Sequence, residues 1–261
     1  MKRYKLIWCV IGLIFLVTFG DILSRELTVK AAHDFTQARV IAHRGYGNPE
    51  NSLKAYQNAY DAGFKYVETD VRFTKDNVPV CIHDTGVDRL SNGTGLVDEL
   101  SLSELQTLDF NGESILTFQD FIAFCVSHDL SPYVDIKNYS LYSQEQIAGL
   151  VEIVRQAGWL NRTTWISNEI HYLTYVKNSD DSARIGLLAS CVNADLISAV
   201  RFLTTGKNEV FLDVNHVTDD AVEACKAAHI PLEVWTLERV PQQGQHIDDY
   251  ISGFTTDVLL N

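Results

Sequence analysis

The sequence predicts a single (β/α)₈ barrel. Short apolar runs alternate with segments of helical periodicity from residue 39 to the end of the chain, which is the pattern of a parallel α/β protein. Eight such runs in about 220 residues match the strand number of a closed barrel. The alternative is an open doubly wound sheet, but the sequence lacks the glycine-rich nucleotide loop that would support it. The predicted strands are 39–42, 66–71, 78–82, 133–136, 164–166, 184–188, 209–212 and 232–236.

Side chains that cap helices mark where several of the intervening helices begin. A Ser, Thr or Asn before a periodic segment can accept a hydrogen bond from the first helical turn. The expected N-caps are Asn51 or Ser52, Thr117, Ser143 and Thr218. Gln146 follows Ser143 by three residues, as in a capping box. Gly63 and Gly158 lie where the left-handed residue that ends a helix is expected.

Two segments interrupt the alternation. Only a short Asp76-Asn77 turn separates the second run from the third, too little for a crossover helix, so these two runs could form a hairpin. After the third strand, residues 85–116 are longer than a βα loop should be and contain an amphipathic piece at 101–108. We expect a small insertion over the mouth of the barrel.

Composition limits the class of protein. The 261 residues are 46% hydrophobic and carry a formal net charge of −13, which excludes a largely disordered chain or a coiled coil. The acidic balance argues against nucleic acid as a partner, because that role needs clustered Lys and Arg. Cysteines beyond the N-terminal segment are Cys81, Cys125, Cys191 and Cys225. Their irregular spacing in apolar segments favours buried free thiols over a disulfide framework.

The N-terminal segment, residues 1–31, has the layout of a secretory signal. Basic residues at 2, 3 and 5 precede an uncharged run at 6–19, and Val29-Lys30-Ala31 offers a cleavage site before Ala32. The rival interpretation is an uncleaved membrane anchor through residues 6–23. In both cases the basic residues stay on the cytoplasmic side, so we expect the domain 32–261 to be extracytoplasmic, either secreted or membrane-anchored.

Charged residues are concentrated at the ends of the first four predicted strands. They are His43 and Arg44, Glu68 and Asp70, His83, and Asp135 and Lys137. In a barrel, residues at the carboxyl ends of strands face one shared pocket. Glu68 and Asp70 are two residues apart, so both point to the same face of the strand.

This set of side chains suits phosphoryl chemistry. Three carboxylates without a nearby thiolate favour a hard cation, Ca²⁺ or Mg²⁺, over Zn²⁺. Arg44 and Lys137 can bind a phosphate beside that cation. His43 and His83 can transfer protons near neutral pH.

The motifs resemble those of the glycerophosphodiester phosphodiesterase family. The likeness rests on Ala42-His43-Arg44-Gly45, Pro49-Glu50-Asn51-Ser52, Glu68-Thr69-Asp70-Val71, Thr74-Lys75-Asp76, Pro79-Val80, His83-Asp84 and Asp88-Arg89. Weaker matches continue through Asp135-Ile136-Lys137, Ile185-Gly186-Leu187-Leu188, Val234-Trp235-Thr236 and Thr255-Thr256-Asp257.

The resemblance implies a barrel with a small insertion after His83 that hydrolyses glycerophosphodiesters, or a glycerol-phosphate polymer, to glycerol 3-phosphate and an alcohol. It implies that His43 and His83 are the acid–base pair and that Arg44, Lys137 and Trp235 bind substrate. One divalent cation, Ca²⁺ or Mg²⁺, is implied at Glu68, Asp70 and Asp135. No protein partner is expected, and residues 6–23 could tether the domain to a membrane.

The chain departs from the family pattern at three positions. Asp135 replaces the more common Glu, Asn168 a more common Phe, and Glu238 the usual Asn. The shorter Asp135 bears on the binding of the ion, and the other two bear on the alcohol side of the pocket. Two other functions stay open at this point: a catalytically silent barrel that binds phosphodiesters, and an enzyme of the same superfamily that cleaves lipid headgroups.

Overall fold

The computed structural model describes residues 38–137, 141–203, 208–238 and 250–259. The predicted leader, residues 1–31, and the proposed tether, residues 6–23, lie outside the described residues. Among the helices of the described residues, none combines the length and apolarity needed to cross a bilayer.

Eight parallel strands close into a barrel, and this confirms the predicted fold class. Each barrel strand pairs with its neighbours in the order β1-β2-β4-β5-β6-β7-β8-β9, and β9 pairs back with β1. The strands are β1 (Arg39–Ala42), β2 (Tyr66–Phe73), β3 (Pro79–Cys81), β4 (Ser131–Ile136), β5 (Thr164–Ser167), β6 (Arg184–Ala189), β7 (Asn208–Asp213), β8 (Leu232–Leu237) and β9 (Ile251–Thr256).

Helices connect the strands, and four of those in the described residues begin at predicted caps. Those of the described residues are α1 (Leu53–Asp61), α2 (Leu102–Leu105), α3 (Phe118–Ser127), α4 (Gln144–Gln156), α5 (Ile170–Ser179), α6 (Ala194–Phe202) and α7 (Asp219–Ala228). The side chains of Ser52, Thr117, Ser143 and Thr218 each accept a hydrogen bond from the first helical turn. Ser143 and Gln146 form the expected capping box.

The third predicted strand is wrong as a barrel strand. β3 pairs antiparallel with β2 and lies outside the closed barrel. The two strands form the hairpin that the short Asp76-Asn77 turn allows, with Phe73 opposite Pro79 and Val71 opposite Cys81. Because β3 runs back along β2, it returns the chain from above the barrel to the level of Asp70, where the Ile82 amide donates to the Asp70 carbonyl at 3.0 Å.

The eighth barrel strand is β9, which the apolar runs did not predict. Its sequence, Ile-Ser-Gly-Phe-Thr-Thr, breaks the apolar run with small polar residues. Gly253 is required there because a Cβ atom would lie 2.8 Å from the carboxyl carbon of the buried Glu233. Strand β9 therefore packs against a polar part of the barrel interior. Because its sequence is not a continuous apolar run, a search for hydrophobic runs did not find it.

The segment between β3 and α3 has its own apolar cluster. Val80 and Ile82 pack with Val87, Val97 and Leu105. α2 begins at Ser101, whose side chain and that of Glu104 form a capping box. This segment therefore packs against the end of the β2–β3 hairpin that carries His83.

A buried ion-pair cluster lies at the amino ends of the barrel strands. There Arg39 forms ion pairs with Glu209 and with Glu233, which is fully buried.

Among the cysteines of the described residues, Cys81, Cys125 and Cys225 are buried free thiols, as predicted, but Cys191 is exposed. Cys191 lies in the loop after β6, at the mouth of the barrel.

Candidate active site

A sharp turn after β1 positions His43 and Arg44. The His43 amide donates to the carbonyl of Thr256 on β9 at 3.0 Å, which extends the parallel pairing by one residue. Arg44 adopts a left-handed conformation with a φ of 53°. Gly45 also has a positive φ, and a Cβ atom there would lie 2.7 Å from the Ala55 Cβ. Only glycine fits this turn against α1.

Three carboxylates form a cluster at the ends of β2 and β4. Glu68 and Asp70 lie on the same face of β2, and Asp135 is the register partner of Asp70 on β4. All three are at least 95% buried, since they are only 3%, 1% and 5% exposed. One oxygen from each lies within 4.8 Å of the others. The shorter Asp135 thus places a carboxylate oxygen within the cluster.

Two basic side chains hold this cluster together. The Lys137 Nζ atom lies 2.8 Å from the Asp70 Oδ1 atom and also pairs with Asp135. The Arg44 Nε atom lies 3.1 Å from the Asp70 Oδ2 atom, and the Arg44 amide donates to Glu68 at 2.8 Å. Asp70 is therefore in contact with both cations, and despite its burial Lys137 and Arg44 hold its pKa below the ordinary range.

The cluster carries more negative charge than its basic partners neutralise. Burial, and then the charge of Asp70, raise the pKa of Glu68 to about 8. Burial also raises the pKa of Asp135, although Lys137 opposes this. With all three carboxylates ionised, the cluster and its two basic partners would carry one excess negative charge; the raised pKa of Glu68 reflects this, and a bound cation would favour the ionised form.

Asn51 fixes the position of Asp70. Its Nδ2 atom donates to the Asp70 Oδ2 atom at 2.7 Å, and its Oδ1 atom accepts from the Asp70 amide at 3.1 Å. The hydroxyls of Tyr56 and Thr69 donate to the same Oδ1 atom. Asn51 is buried and has a φ of 55°. The sequence offers Asn51 as a helix cap and as part of the Pro49–Ser52 motif, but the cap is Ser52, and the role of Asn51 beside Asp70 was not predicted.

His43 is oriented by a carboxylate from the other end of the chain. Its Nδ1 atom lies 2.8 Å from the Asp257 Oδ1 atom, just beyond β9. Burial alone would lower the pKa of His43, but the hydrogen bond to Asp257 and the charge of Glu68 raise it above its ordinary value. With Nδ1 paired to a carboxylate, Nε2 is the nitrogen that can exchange a proton with a ligand.

His83, which follows the β2–β3 hairpin, is also paired with a carboxylate. Its Nδ1 atom lies 2.8 Å from the Asp84 Oδ1 atom. Its carbonyl accepts two hydrogen bonds from the buried Arg72 guanidinium, at 2.8 and 2.6 Å. Burial lowers the pKa of His83, and Lys137 and Arg44 add to that effect against the charge of Asp70. The two histidines therefore differ in the direction of their pKa shifts.

Arg89 connects the partners of His83 and Arg44. Its Nε atom donates to Asp84 at 2.5 Å, and its other two nitrogens donate to Glu50 at 2.6 and 3.2 Å. Glu50 in turn accepts from the Arg44 guanidinium at 3.0 Å. A continuous chain of ion pairs thus runs from His83 to Arg44 through a residue of the segment after β3.

Seven of the eight residues that the sequence singled out border one cavity of about 610 Å³. His43, Arg44, Glu68, His83, Asp135, Lys137 and Trp235 line it. Asp70 lies behind them and touches the cavity residues Arg44 and Lys137. The Trp235 Nε1 atom donates to the Phe211 carbonyl at 3.2 Å, which fixes the indole ring. The structure therefore brings together all eight residues that the sequence singled out.

Of the two alcohol-side departures, one borders the cavity. Asn168 lines it, whereas Glu238 is exposed and is not part of the lining that the described residues form. The partners Asp257, Asp84, Asn51, Glu50 and Arg89 were not predicted to have a role in the site. All five fall inside the quoted sequence motifs, four of them near the first strands, but a motif alone does not show which side chains each residue contacts.

Comparison with known proteins identifies the family. The model of the glycerophosphoryl diester phosphodiesterase family matches residues 43–259, which include every charged residue of the cavity. The chain belongs to this family. Glycerophosphoryl diester phosphodiesterases are phosphoric diester hydrolases, so the family and enzyme class that the motifs predicted are confirmed.

Individual glycerophosphodiester phosphodiesterases resemble the chain over different lengths. The enzyme of Caldanaerobacter subterraneus subsp. tengcongensis is 30% identical over 230 residues, covering 84% of this chain and 93% of that protein. Human glycerophosphodiester phosphodiesterase 1 is 35% identical over 135 residues, or 47% of this chain and 40% of that protein. An Oleispira antarctica phosphodiesterase, solved with the product sn-glycerol-3-phosphate, has the same fold, with a TM-score of 0.75 and 23% identity over 86% of this chain and 95% of that one.

Proposed function

We propose that this chain hydrolyses glycerophosphodiesters to glycerol 3-phosphate and an alcohol, with His43 and His83 as the acid–base pair and a divalent cation at the carboxylate cluster. The observation that carries this proposal is the shared cavity. Two carboxylate-oriented histidines, Arg44 and Lys137 all border the same space as the carboxylate cluster. A phosphodiester in that space would meet proton donors, proton acceptors and positive charge together.

The three carboxylates fit a single hard cation. Oxygens on opposite sides of a Ca²⁺ ion, each at about 2.3–2.6 Å, are at most about 5.2 Å apart. The three candidate oxygens lie within 4.8 Å of one another. With the three carboxylates ionised, a divalent ion would change the net charge of the cluster and its two basic partners from one negative charge to one positive charge. A net positive site complements a singly charged phosphodiester. Glu68, Asp70 and Asp135 would hold the ion, which supplies electrostatic stabilisation of the charge that develops on the phosphoryl oxygens.

The histidines would transfer the protons of two successive steps. In the first, one imidazole Nε2 removes the proton of the glycerol 2-hydroxyl as its oxygen attacks phosphorus, and the other protonates the departing alcohol oxygen. In the second, a water molecule opens the cyclic phosphate while the two rings exchange roles. The 2-hydroxyl is already part of the substrate, so its effective concentration is high. The lowered pKa of His83 supports the base role in the first step, and the raised pKa of His43 supports the acid role.

Arg44 and Lys137 would bind and orient the phosphate. Both line the cavity and both are anchored on Asp70, so little side-chain freedom is lost when an anion binds. Trp235, whose indole is fixed by its bond to Phe211, offers an apolar wall beside the reacting group.

The test is hydrolysis of glycerophosphocholine by the full chain, with glycerol 3-phosphate measured by coupling to its dehydrogenase. We expect activity to disappear after chelation and to return with Ca²⁺ or Mg²⁺. His43→Ala and His83→Ala should each lower kcat by at least about a hundredfold. His171→Ala, an exposed histidine outside the cavity lining, is the matched control. Full activity in His43→Ala would overturn the mechanism, and inactivity of the parent with every diester and cation would favour a binding barrel.

We also propose that the barrel acts outside the cytoplasm. The basic residues before the apolar run at 6–19 support this orientation, and residues 6–23 are the candidate tether. Fractionation of the producing cells tests the proposal. Recovery in the medium indicates cleavage and release, recovery in the membrane fraction indicates tethering, and recovery in the cytoplasm contradicts both.

A further inference from the structure

The active-site cavity is divided into two chemically different halves. Every charged residue that lines it in the described part of the chain precedes residue 138, on or after strands β1 to β4. The half formed by β5 to β9 has uncharged lining residues only. Its apolar surface is formed mainly by Ile166, Leu187, Leu188, Leu196, Phe211 and Trp235. The polar members of this half are Asn168, Ser190 and Asn193, which are exposed in the loops after β5 and β6, and Thr236 and Thr255 on β8 and β9.

The apolar half continues the hydrophobic core of the barrel. Ile166 and Phe211 belong to the core cluster inside the barrel, and Leu188 and Trp235 pack against it. Leu196 extends the surface from the first turn of α6. This wall is therefore a rigid continuation of packed strands, in which a bound hydrocarbon group would lose contact with water.

The size of the cavity leaves room for more than the glycerol phosphate group. A volume of about 610 Å³ is typical of sites that enclose a drug-sized molecule. The glycerol arm of the substrate carries two hydroxyls, and its 2-hydroxyl must reach an imidazole, so it belongs with the charged half. The second arm of the diester, the alcohol that leaves, is then directed to the apolar half.

We infer that the chain prefers glycerophosphodiesters whose leaving alcohol carries a neutral hydrocarbon group over those with a charged or polyhydroxylated alcohol. This inference rests on the proposed function, because it assigns the second arm of the same substrate. An ammonium headgroup would find no carboxylate among the described residues that line this half. The face of Trp235 and neutral side-chain oxygens, such as those of Asn168 and Asn193, would be its remaining contacts, and none of them carries a full negative charge.

The sharpest probe is a pair of diesters with the same shape. Glycerophosphocholine and its 3,3-dimethylbutyl isostere differ only in that carbon replaces the charged nitrogen. We expect kcat/KM to be about tenfold higher for the neutral isostere. Along an ethyl, butyl and hexyl series kcat/KM should rise by at least about tenfold, because each buried methylene favours binding. A preference for choline, or a flat series, would overturn the inference while leaving the hydrolytic function intact.

Two leucines near helix starts provide a variant and its control. Leu196→Asn should reduce the ratio of hexyl to ethyl kcat/KM several-fold, because it places an amide in the apolar wall. Leu53→Asn changes an exposed leucine at the start of α1, outside the cavity lining, and should leave the ratio unchanged. An unchanged ratio in Leu196→Asn contradicts the assignment of this half.

Cys191 gives a readout that does not depend on turnover. This exposed thiol lines the apolar half, and the other cysteines of the described residues are buried. In the full-length His43→Ala variant, we expect the dimethylbutyl diester to slow alkylation of Cys191 by iodoacetamide more than glycerophosphocholine does, as measured on the Cys191 peptide by mass spectrometry. Equal protection by both diesters would overturn the inference even if neither diester were hydrolysed by the parent.

Discussion

Arg89 is half-exposed, yet it joins the carboxylates that orient His83 and Arg44. Replacing it with Gln removes the shared guanidinium and leaves Asp84 and Glu50 with less restraint. We expect Arg89→Gln to lower kcat/KM by about tenfold to a hundredfold, since small displacements of reacting groups have effects of that size. Arg89→Lys should restore only part of this, because an ammonium cannot bind both carboxylates in a planar fork.

Steady-state kinetics with a thermal melt of each variant tests this role. Arg155→Gln is the control, since Arg155 is an exposed arginine on α4 with an ion pair to Glu152 outside the cavity. Wild-type kinetics in Arg89→Gln would show that the ion-pair chain does not position the site. An Arg89→Gln variant that melts at a lower temperature but keeps the parent's kcat/KM would also show that the ion-pair chain does not position the site.

The bond between His43 and Asp257 predicts a shift in the pH profile. If His43 is the acid, activity falls as pH rises through the pKa of its imidazolium. Asp257 helps raise that pKa, so in Asp257→Asn the fall should begin at a lower pH. The profile of kcat/KM at saturating cation measures this. Asp213→Asn, at an aspartate that contacts His216 outside the cavity lining, should leave the alkaline limb in place, and an identical limb in Asp257→Asn would contradict the acid role.

Residue types and short spacing were enough to find seven of the eight principal residues of the site, and the family resemblance added Trp235. Glu68 and Asp70, for example, share a face because a strand alternates its side chains. Their partners depend on contacts across the fold. Asp257 is 214 positions from His43 in the sequence, and only the pairing of β9 with β1 brings them together.

At the scale of elements, the turn between β1 and α1 depends on Gly45. A methyl group there would collide with Ala55, and its positive φ is unfavourable for other residues. We expect Gly45→Ala to destabilise the fold by about 3 kcal/mol and to reduce activity, because the same turn carries His43 and Arg44. Urea denaturation measures the stability.

Gly149→Ala is the matched control for that experiment. Gly149 lies in α4 with no atom within 4 Å of an added Cβ. Alanine there should stabilise the protein by up to about 1 kcal/mol, through its higher helix propensity. Equal effects of the two substitutions would mean that the turn after β1 tolerates a side chain.

Helix starts were predictable because caps are local, and Ser143 with Gln146 shows this directly. Strand membership was less predictable. Pro79–Cys81 has the composition of a barrel strand but joins β2 as a hairpin, whereas Ile251–Thr256 is a barrel strand with few apolar residues. Both differences arise because pairing partners, which composition does not encode, decide which strands close a barrel.

At the scale of the molecule, the barrel carries charge at both ends. Opposite the active site, Glu233 is fully buried next to Glu209, Arg39 and Tyr133, with Arg184 near Glu209. Burial and the charge of Glu209 raise the pKa of Glu233 well above its ordinary value. A folded-state pKa above the unfolded one favours the native state at low pH, so this contribution declines as pH rises above about 4.5 and through the folded pKa.

Glu233→Gln should therefore make the free energy of unfolding less sensitive to pH in that range, because glutamine stays neutral. Denaturation curves at a series of pH values compare the slopes of the parent and the variant. Glu223→Gln, on the exposed side of α7, should keep the slope of the parent. The same slope in Glu233→Gln would contradict the role of Glu233.

The pairing of β1 with β9 also has a consequence for biosynthesis. His43 is among the first residues of the barrel to leave the ribosome, but its aspartate partner is encoded more than two hundred codons later. A nascent chain that has not yet been translated past residue 257 cannot form the hydrogen bond between His43 and Asp257 that orients this imidazole. If His43 has the proposed acid role, full activity requires translation to pass residue 257, and a stop codon within β9 would lower activity even if the earlier strands were correctly folded.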